Sequence, residues 1–390
     1  MFGKFVLLSC CACVLGIAGA APHVPASGAQ VLERLPGGLA PARRELQGLR
    51  AALGARPQDL GLATTVARRY IEQSRRDGDP RYLGYAEAAL APWWSQPQPP
   101  SEVLVLRATL RQSTHQFGAA LADLDTVLRR DSGNSQAWLT RATVQTITGD
   151  FRSAHASCMR LYSRAPELVV QACLSSVGSV SGQADASYER LRQTYAARAD
   201  APPELRTWVA TLLGEMAARL GRPNAAQAHF RDALALDPLD SYLLGAYADL
   251  LLDRGRAREV VALLKDKTAA DALLLRYAIA LKAVGAPGAA QASADLAARF
   301  DAAMRRRDTV HQREQARYEL ALRGDASAAV RLAKLNWAVQ KEPADLRILA
   351  QAAAASRDPQ AAALVRDWLA GSRVEDATLA SALAQIGDRT

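Results

Sequence analysis

The chain has 390 residues, of which 49% are hydrophobic and 22% charged, a composition that supplies ample apolar surface for a globular core. Its net charge of +9 rests mostly on Arg, yet the longest run, Arg305-Arg306-Arg307, carries no interleaved aromatic residue. That distribution fits solvated helix faces and excludes the usual footprint of nucleic-acid binding, so no nucleic-acid partner is expected. Apolar alternation is absent and Ala and Leu dominate, so the expected class is all-α.

In chain order, Lys4 precedes an apolar run from Phe5 to Gly19, and Ala18-Gly19-Ala20 has the small-residue pattern of a cleavage site. Residues 1–20 therefore read as a secretory signal peptide, which with the Ala- and Arg-rich composition points to a bacterial periplasm. The alternative is an outer-membrane lipoprotein, because Leu7-Leu8-Ser9-Cys10 has the form of a lipobox; membrane association is expected only if Cys10 is lipidated. No later stretch is apolar enough to span a bilayer. Residues 21–44, rich in Gly, Pro and Ala, are expected to be flexible, and residues 45–94 to form an N-terminal helical piece. Residues 95–100 form a Pro-rich linker that favours an extended backbone.

From Ser101 the sequence acquires a frame. Leu104, Ala108 and Ala120 occupy the slots that Trp138, Ala142 and Ala154 occupy one unit later, with Phe117, Leu124 and Val127 in the same frame and Gly149-Asp150-Phe151 as the later unit's turn. The clearest copy runs from Thr207 to Asp240. Gly214 and Ala226 are small where two helices must approach, Phe230 fills the groove between them, Gly221-Arg222-Pro223 breaks the hairpin, and Asp237-Pro238 ends it. Further copies start at Ser241 and Asp271, a looser one at Val310, and degenerate ones at Thr64, Leu168 and Ala344. Residues 101–369 thus form the array, and residues 370–390 a polar C-terminal cap.

These units resemble the tetratricopeptide repeat (TPR), whose period is about 34 residues, in its bacterial exported form. The resemblance implies a right-handed superhelical solenoid of about eight or nine helix hairpins. It also implies that the first helix of each hairpin lines a concave groove able to hold a protein or peptide. The groove positions would be Trp208, Glu215, Tyr242, Asp249, Asp253, His311, Glu314 and Tyr318, where rings supply contact area and carboxylates supply orientation; the alternative is a solvated inner face. In the unit from Val310, Arg313 and Arg317 stand in apolar slots. Either the frame slips there or these side chains make an anionic contact on an open surface.

Removal of the signal leaves Cys158 and Cys173, on neighbouring helices of consecutive units. They form either a disulfide, as an even count in an oxidising compartment favours, or two buried thiols. The G-x-S-x-G, H-E-x-x-H and C-x-x-C-H motifs are missing, and His23, His115, His155, His229 and His311 fall at unlike repeat positions. No catalytic set, cofactor or metal is expected. The functional expectation is an exported, non-catalytic scaffold for a protein or peptide partner. The alternatives are an accessory of outer-membrane assembly or polysaccharide export, or an enzyme with an unrecognised site.

Overall fold

A computed structural model describes residues 41–306 and 308–387. The expected signal peptide, the Cys10 lipobox and residues 21–40 lie outside the described residues. Residues 1–45 and 46–390 are separate compact units. The described part of the first is the start of helix α1 (Pro41–Ala55). This helix begins inside the span expected to be flexible, because Leu46, Leu49 and Leu53 give the stretch an apolar helical stripe.

The second unit is a succession of helix hairpins, with no strand among the described residues. It opens with α2 (Leu60–Asp77), α3 (Arg81–Ala89) and the short α4 (Ala91–Trp94). The pairs α5 (Ser101–Ser113) and α6 (Phe117–Arg130), α7 (Ser135–Ile147) and α8 (Phe151–Met159), and α9 (Glu167–Gly178) and α10 (Ala184–Ala197) follow. Next come α11 (Pro203–Arg219) and α12 (Pro223–Leu236), α13 (Ser241–Asp253) and α14 (Ala257–Leu264), and α15 (Asp271–Ala283) and α16 (Ala289–Arg305). Then α17 (Gln312–Tyr318) runs into a π-helical turn, Glu319–Arg323, and α18 (Ala326–Val339), α19 (Pro343–Ser356), α20 (Pro359–Ser372) and α21 (Ala380–Gly387) close the unit. The chain is a TPR-like array: consecutive helices pack in pairs, and each pair stacks on the next.

The hairpin of α11 and α12 shows why these residues make this unit. A Cβ added to Gly214 would lie 2.6–2.8 Å from the Phe230 ring, so only glycine lets that ring into the groove. Gly221, at φ 68°, supplies the left-handed residue that ends α11, and Arg222 N–H donates back to the Ala217 carbonyl at 2.8 Å. Asp240 starts the next unit by accepting from Leu243 N–H at 2.9 Å. Phe230 is 1% exposed and belongs to an apolar cluster extending from Leu168 to Ala280.

The N-terminal helices share a core with the array, since Leu46, Val66 and Trp93 cluster with Val103, Leu106 and Leu110. The Pro-rich stretch between them is tied down: Arg130 donates to the Pro99 carbonyl at 2.7 Å, and Arg107 donates to the Trp94 carbonyl. Asp123, 5% exposed, accepts from both Arg107 and Arg111 at 2.7 Å. Cys158 and Cys173 are joined in a disulfide that links α8 to α9, with Cα atoms 5.6 Å apart.

The π-helical turn accounts for the irregular unit after Val310. A hydrogen-bond ring wider by one residue shifts the phase of the following side chains, so the repeat frame slips between Arg317 and Asp325. The last helices have a core of their own, built from Ala333, Trp337, Leu349, Val365, Leu379 and Ile386. The segment from residue 370 onward is thus apolar on one face, where α21 packs against α19.

Two sets of contacts define the path of residues 46–387. The array coils until α13 meets α2, where Ser241 Oγ donates to the Arg75 carbonyl at 2.7 Å. The block α18–α21 then lies along the turn ends of α7, α9, α11 and α13. Lys341 N–H donates to the Ile147 carbonyl at 2.7 Å. The Trp368 ring stands 5.9 Å from that of Phe151, and Cβ atoms of Arg373 and Ala377 lie 3.1 and 3.4 Å from where Gly182 and Gly221 would carry one.

Candidate functional site

The inner face of the array is where the sequence placed a groove. Six of its expected residues, with both arginines, sort into three clusters and one flank there; two others do not belong to it. Tyr318 is 5% exposed, with its ring 5.5 Å from that of Phe300. It is a core residue, because the phase of α17 turns it away from Arg313 and Arg317. Trp208 is half-buried and packs against the central apolar cluster, leaving little of its ring for a ligand.

The first cluster is Tyr242 with Glu215. The phenol donates to Glu215 Oε1 at 2.6 Å. Tyr242 is 61% exposed, yet the Glu342 carboxylate and the Arg313 guanidinium, from later helices, also act on it. The ring is therefore reached by solvent yet surrounded by protein groups, and faced by charge from across the coil. The Glu215 charge, then burial, push its pKa well above the ordinary value. Burial raises the Glu215 carboxyl as well, against the pull of Arg219.

The second cluster centres on Asp249. Arg276 grips it through two nitrogens at 3.0 and 2.6 Å, and Arg317 reaches it at 2.7 Å. Burial opposes ionisation of Asp249, but the two guanidiniums outweigh it and hold the carboxyl well below the usual range. Arg317 itself is lowered, by burial first and by repulsion from Arg276 and Arg347. Asp253, one helical turn further on, pairs with Arg347 of α19 at 2.8 Å.

The third cluster surrounds Arg313, which approaches Glu314 at 3.2 Å, Glu342 at 2.9 Å and Asp345 at 3.4 Å. Burial opposes its charge, yet the three carboxylates raise its pKa well above the ordinary value. Asp345 is 1% exposed and also accepts from Asn336 at 2.7 Å and Gln340 at 3.1 Å. Burial raises its pKa despite Arg313, whereas Arg313 outweighs burial at Glu314 and lowers it. His311 lies at the edge of this cluster, 3.8 Å from Asp308.

These contacts correct one expectation. Arg313 and Arg317 do not present charge to an outside anion, because Glu342, Asp345 and Asp249 neutralise them within the chain. Those partners lie 29, 32 and 68 residues away in sequence. Sequence reasoning also missed Arg276, Glu342, Asp345 and Arg347. The available signal was the period itself: Asp249 and Arg276 occupy equivalent faces of successive first helices.

No protein-family model matches the chain, and no curated protein matches its sequence. Solved structures are similar at low identity. A tetratricopeptide repeat protein from Parabacteroides merdae is 13% identical, with 70% of this chain and 98% of that one covered and a TM-score of 0.38. The APC/C hetero-tetramer Cut9-Hcn1 is 13% identical, with 84% and 59% covered and a TM-score of 0.48. Human IFIT1, solved as a dimer with m7Gppp-AAAA, is 13% identical, with 88% and 85% covered and a TM-score of 0.42. No described helix is long and apolar enough to cross a membrane.

Proposed function

We propose that this chain is an exported, non-catalytic scaffold that holds a protein or peptide segment against the inner face of its helix array, in the periplasm. The observation that carries the reading is the Tyr242–Glu215 pair. A large ring, 61% exposed, stands inside the curve of the array with its hydroxyl fixed on a carboxylate at 2.6 Å. An aromatic side chain held in place loses little entropy on binding, and a neighbouring carboxylate orients a polar or cationic group. The charged groups around it are committed to one another in pairs, which leaves the ring as the exposed contact surface.

The test is crosslinking in intact cells from a photoreactive residue placed at Tyr242, with mass-spectrometric identification of what is trapped in the periplasmic fraction. A discrete protein should be recovered, and Tyr242→Ala should reduce its capture by about tenfold, a loss of about 1.4 kcal/mol, with helicity unchanged. Equal capture by variant and parent removes the reading.

A further inference from the structure

Two hairpins in the middle of the array are fastened through a titratable pair. Tyr188 of α10, 3% exposed, has its hydroxyl 3.0 Å from Nε2 of His229 on α12. The two rings meet edge to face with their centres 5.9 Å apart. Arg222, the residue before α12, lies over the same phenol ring at 5.3 Å and pairs with Asp185 and Glu189 of α10. The Tyr188 hydroxyl has no other hydrogen-bond partner among the described residues. Its proton is therefore directed at His229, which makes Nε2 the unprotonated nitrogen of a neutral imidazole.

We infer that Tyr188 and His229 form an acid-sensitive clasp between the α9–α10 and α11–α12 hairpins, closed while the imidazole is neutral and released when it takes a proton. A protonated ring carries N–H at both nitrogens, so Nε2 stops accepting and the buried phenol loses its acceptor. Asp232, three residues further along α12, offers the imidazolium a partner on its own helix. Burial is the main force that holds His229 below its ordinary 6.5; Asp232 opposes it, and Arg192 of α10 reinforces it. The other charges at this contact are tied up: Arg222 with Asp185 and Glu189, and Arg256, arriving from α14, with Gln227 and Glu259. A value lower in the folded chain than in the unfolded one stabilises the fold fully above about pH 6.5, and that stabilisation is lost as pH falls through the folded value. Tyr188, Val209 and Phe230 share one apolar cluster, so release loosens the contact without unfolding either hairpin. The clasp bears on the inner face because α11 carries Glu215, and it holds whether or not a partner binds at Tyr242.

The test is backbone amide hydrogen exchange of the full chain at pH 7.5 and pH 5.0, each rate divided by the chemical rate for that pH. Protection in α10 and α12 should fall by about fivefold at the lower pH while α15 and α16 keep theirs. In His229→Gln the side-chain oxygen can still accept the phenol proton and does not titrate, so protection there should be the same at both pH values. His115 and Glu215 also titrate with shifted values, but they are present in every variant and cancel in the comparison. A second readout follows the imidazole Cε1–H signal by NMR. The His229 midpoint should lie below 6.5, and Tyr188→Phe should move it upward, because the neutral ring loses the hydrogen bond that favours it. Persistence of the acid-induced loss in His229→Gln overturns the inference. So does a loss spread evenly along the chain, or a His229 midpoint that Tyr188→Phe leaves in place.

Discussion

The hairpin of α11 and α12 and the seam between α13 and α19 both hold helices together, by opposite means. In the hairpin, Phe230 sits over a glycine that leaves it room, and the contact is apolar and local in sequence. In the seam, Asp253 meets Arg347 across 94 residues of chain, in contact with solvent. The first contact is stabilised by removing area from water and does not depend on salt. The second is specific, weak and reversible. One chain thus joins its helices in two ways, by apolar packing within a hairpin and by ion pairs between distant ones.

The comparison breaks most visibly at Phe230. Phe230→Ala should cost about 3–5 kcal/mol, because the cavity beside Gly214 cannot collapse onto a fixed helix pair; urea melts of parent and variant check it. A loss below about 1 kcal/mol would mean that the hairpin core is looser than its burial implies. Arg313→Ala comes next, at about 2–3 kcal/mol, since it leaves Asp345 buried without its cation. Unlike the Phe230 loss, this one should shrink when the same variant also carries Asp345→Asn, and a double-mutant cycle measures that coupling.

The smallest effect depends on pH. Burial raises the Glu215 carboxyl above its ordinary value of 4.5, so the folded chain holds that proton more tightly than the unfolded chain does. Stability therefore falls as pH rises from about 4.5 through the folded value. Glu215→Gln should raise the Tm by roughly 1–2 °C at pH 7 and leave it unchanged at pH 4. Asp249 works in the other direction. Its lowered carboxyl contributes stability that is fully present above about pH 4 and lost on further acidification. A parent chain whose Tm changes monotonically from pH 7 to pH 3 would show that one of these two groups dominates.

The hairpins were legible in the sequence because each is set by neighbours within one period. Small residues at Gly214 and Ala226, the ring at Phe230 and the break at Gly221 suffice to place two helices. The irregularity after Val310 was legible through Arg313 and Arg317, though the π-helical turn that follows them was not. Glu215, Tyr242, Asp249 and Asp253 were named from the repeat phase, and the structure brings Tyr242 to Glu215 and pairs both aspartates with arginines. Tyr318 failed because the phase of α17 turns its ring into the core against Phe300. The return of α18–α21 across the turns of α7 to α13 could not be read, because it depends on the pitch accumulated over several hairpins. Small differences in each stacking angle add up over that distance, and no local pattern encodes the sum.

The Cys158–Cys173 bond bears on how such an array comes apart. A stack in which each unit rests only on its neighbours can be peeled from either end, one unit at a time. A covalent tie between α8 and α9 interrupts that sequence, since the joint between the two hairpins cannot part while both remain attached. Tension applied from the N-terminal side would have to part α2 from α13, would then strip residues 60–130, and would stall there. The two hairpins spanning residues 135–197 would yield together, acting as a rivet midway along the coil.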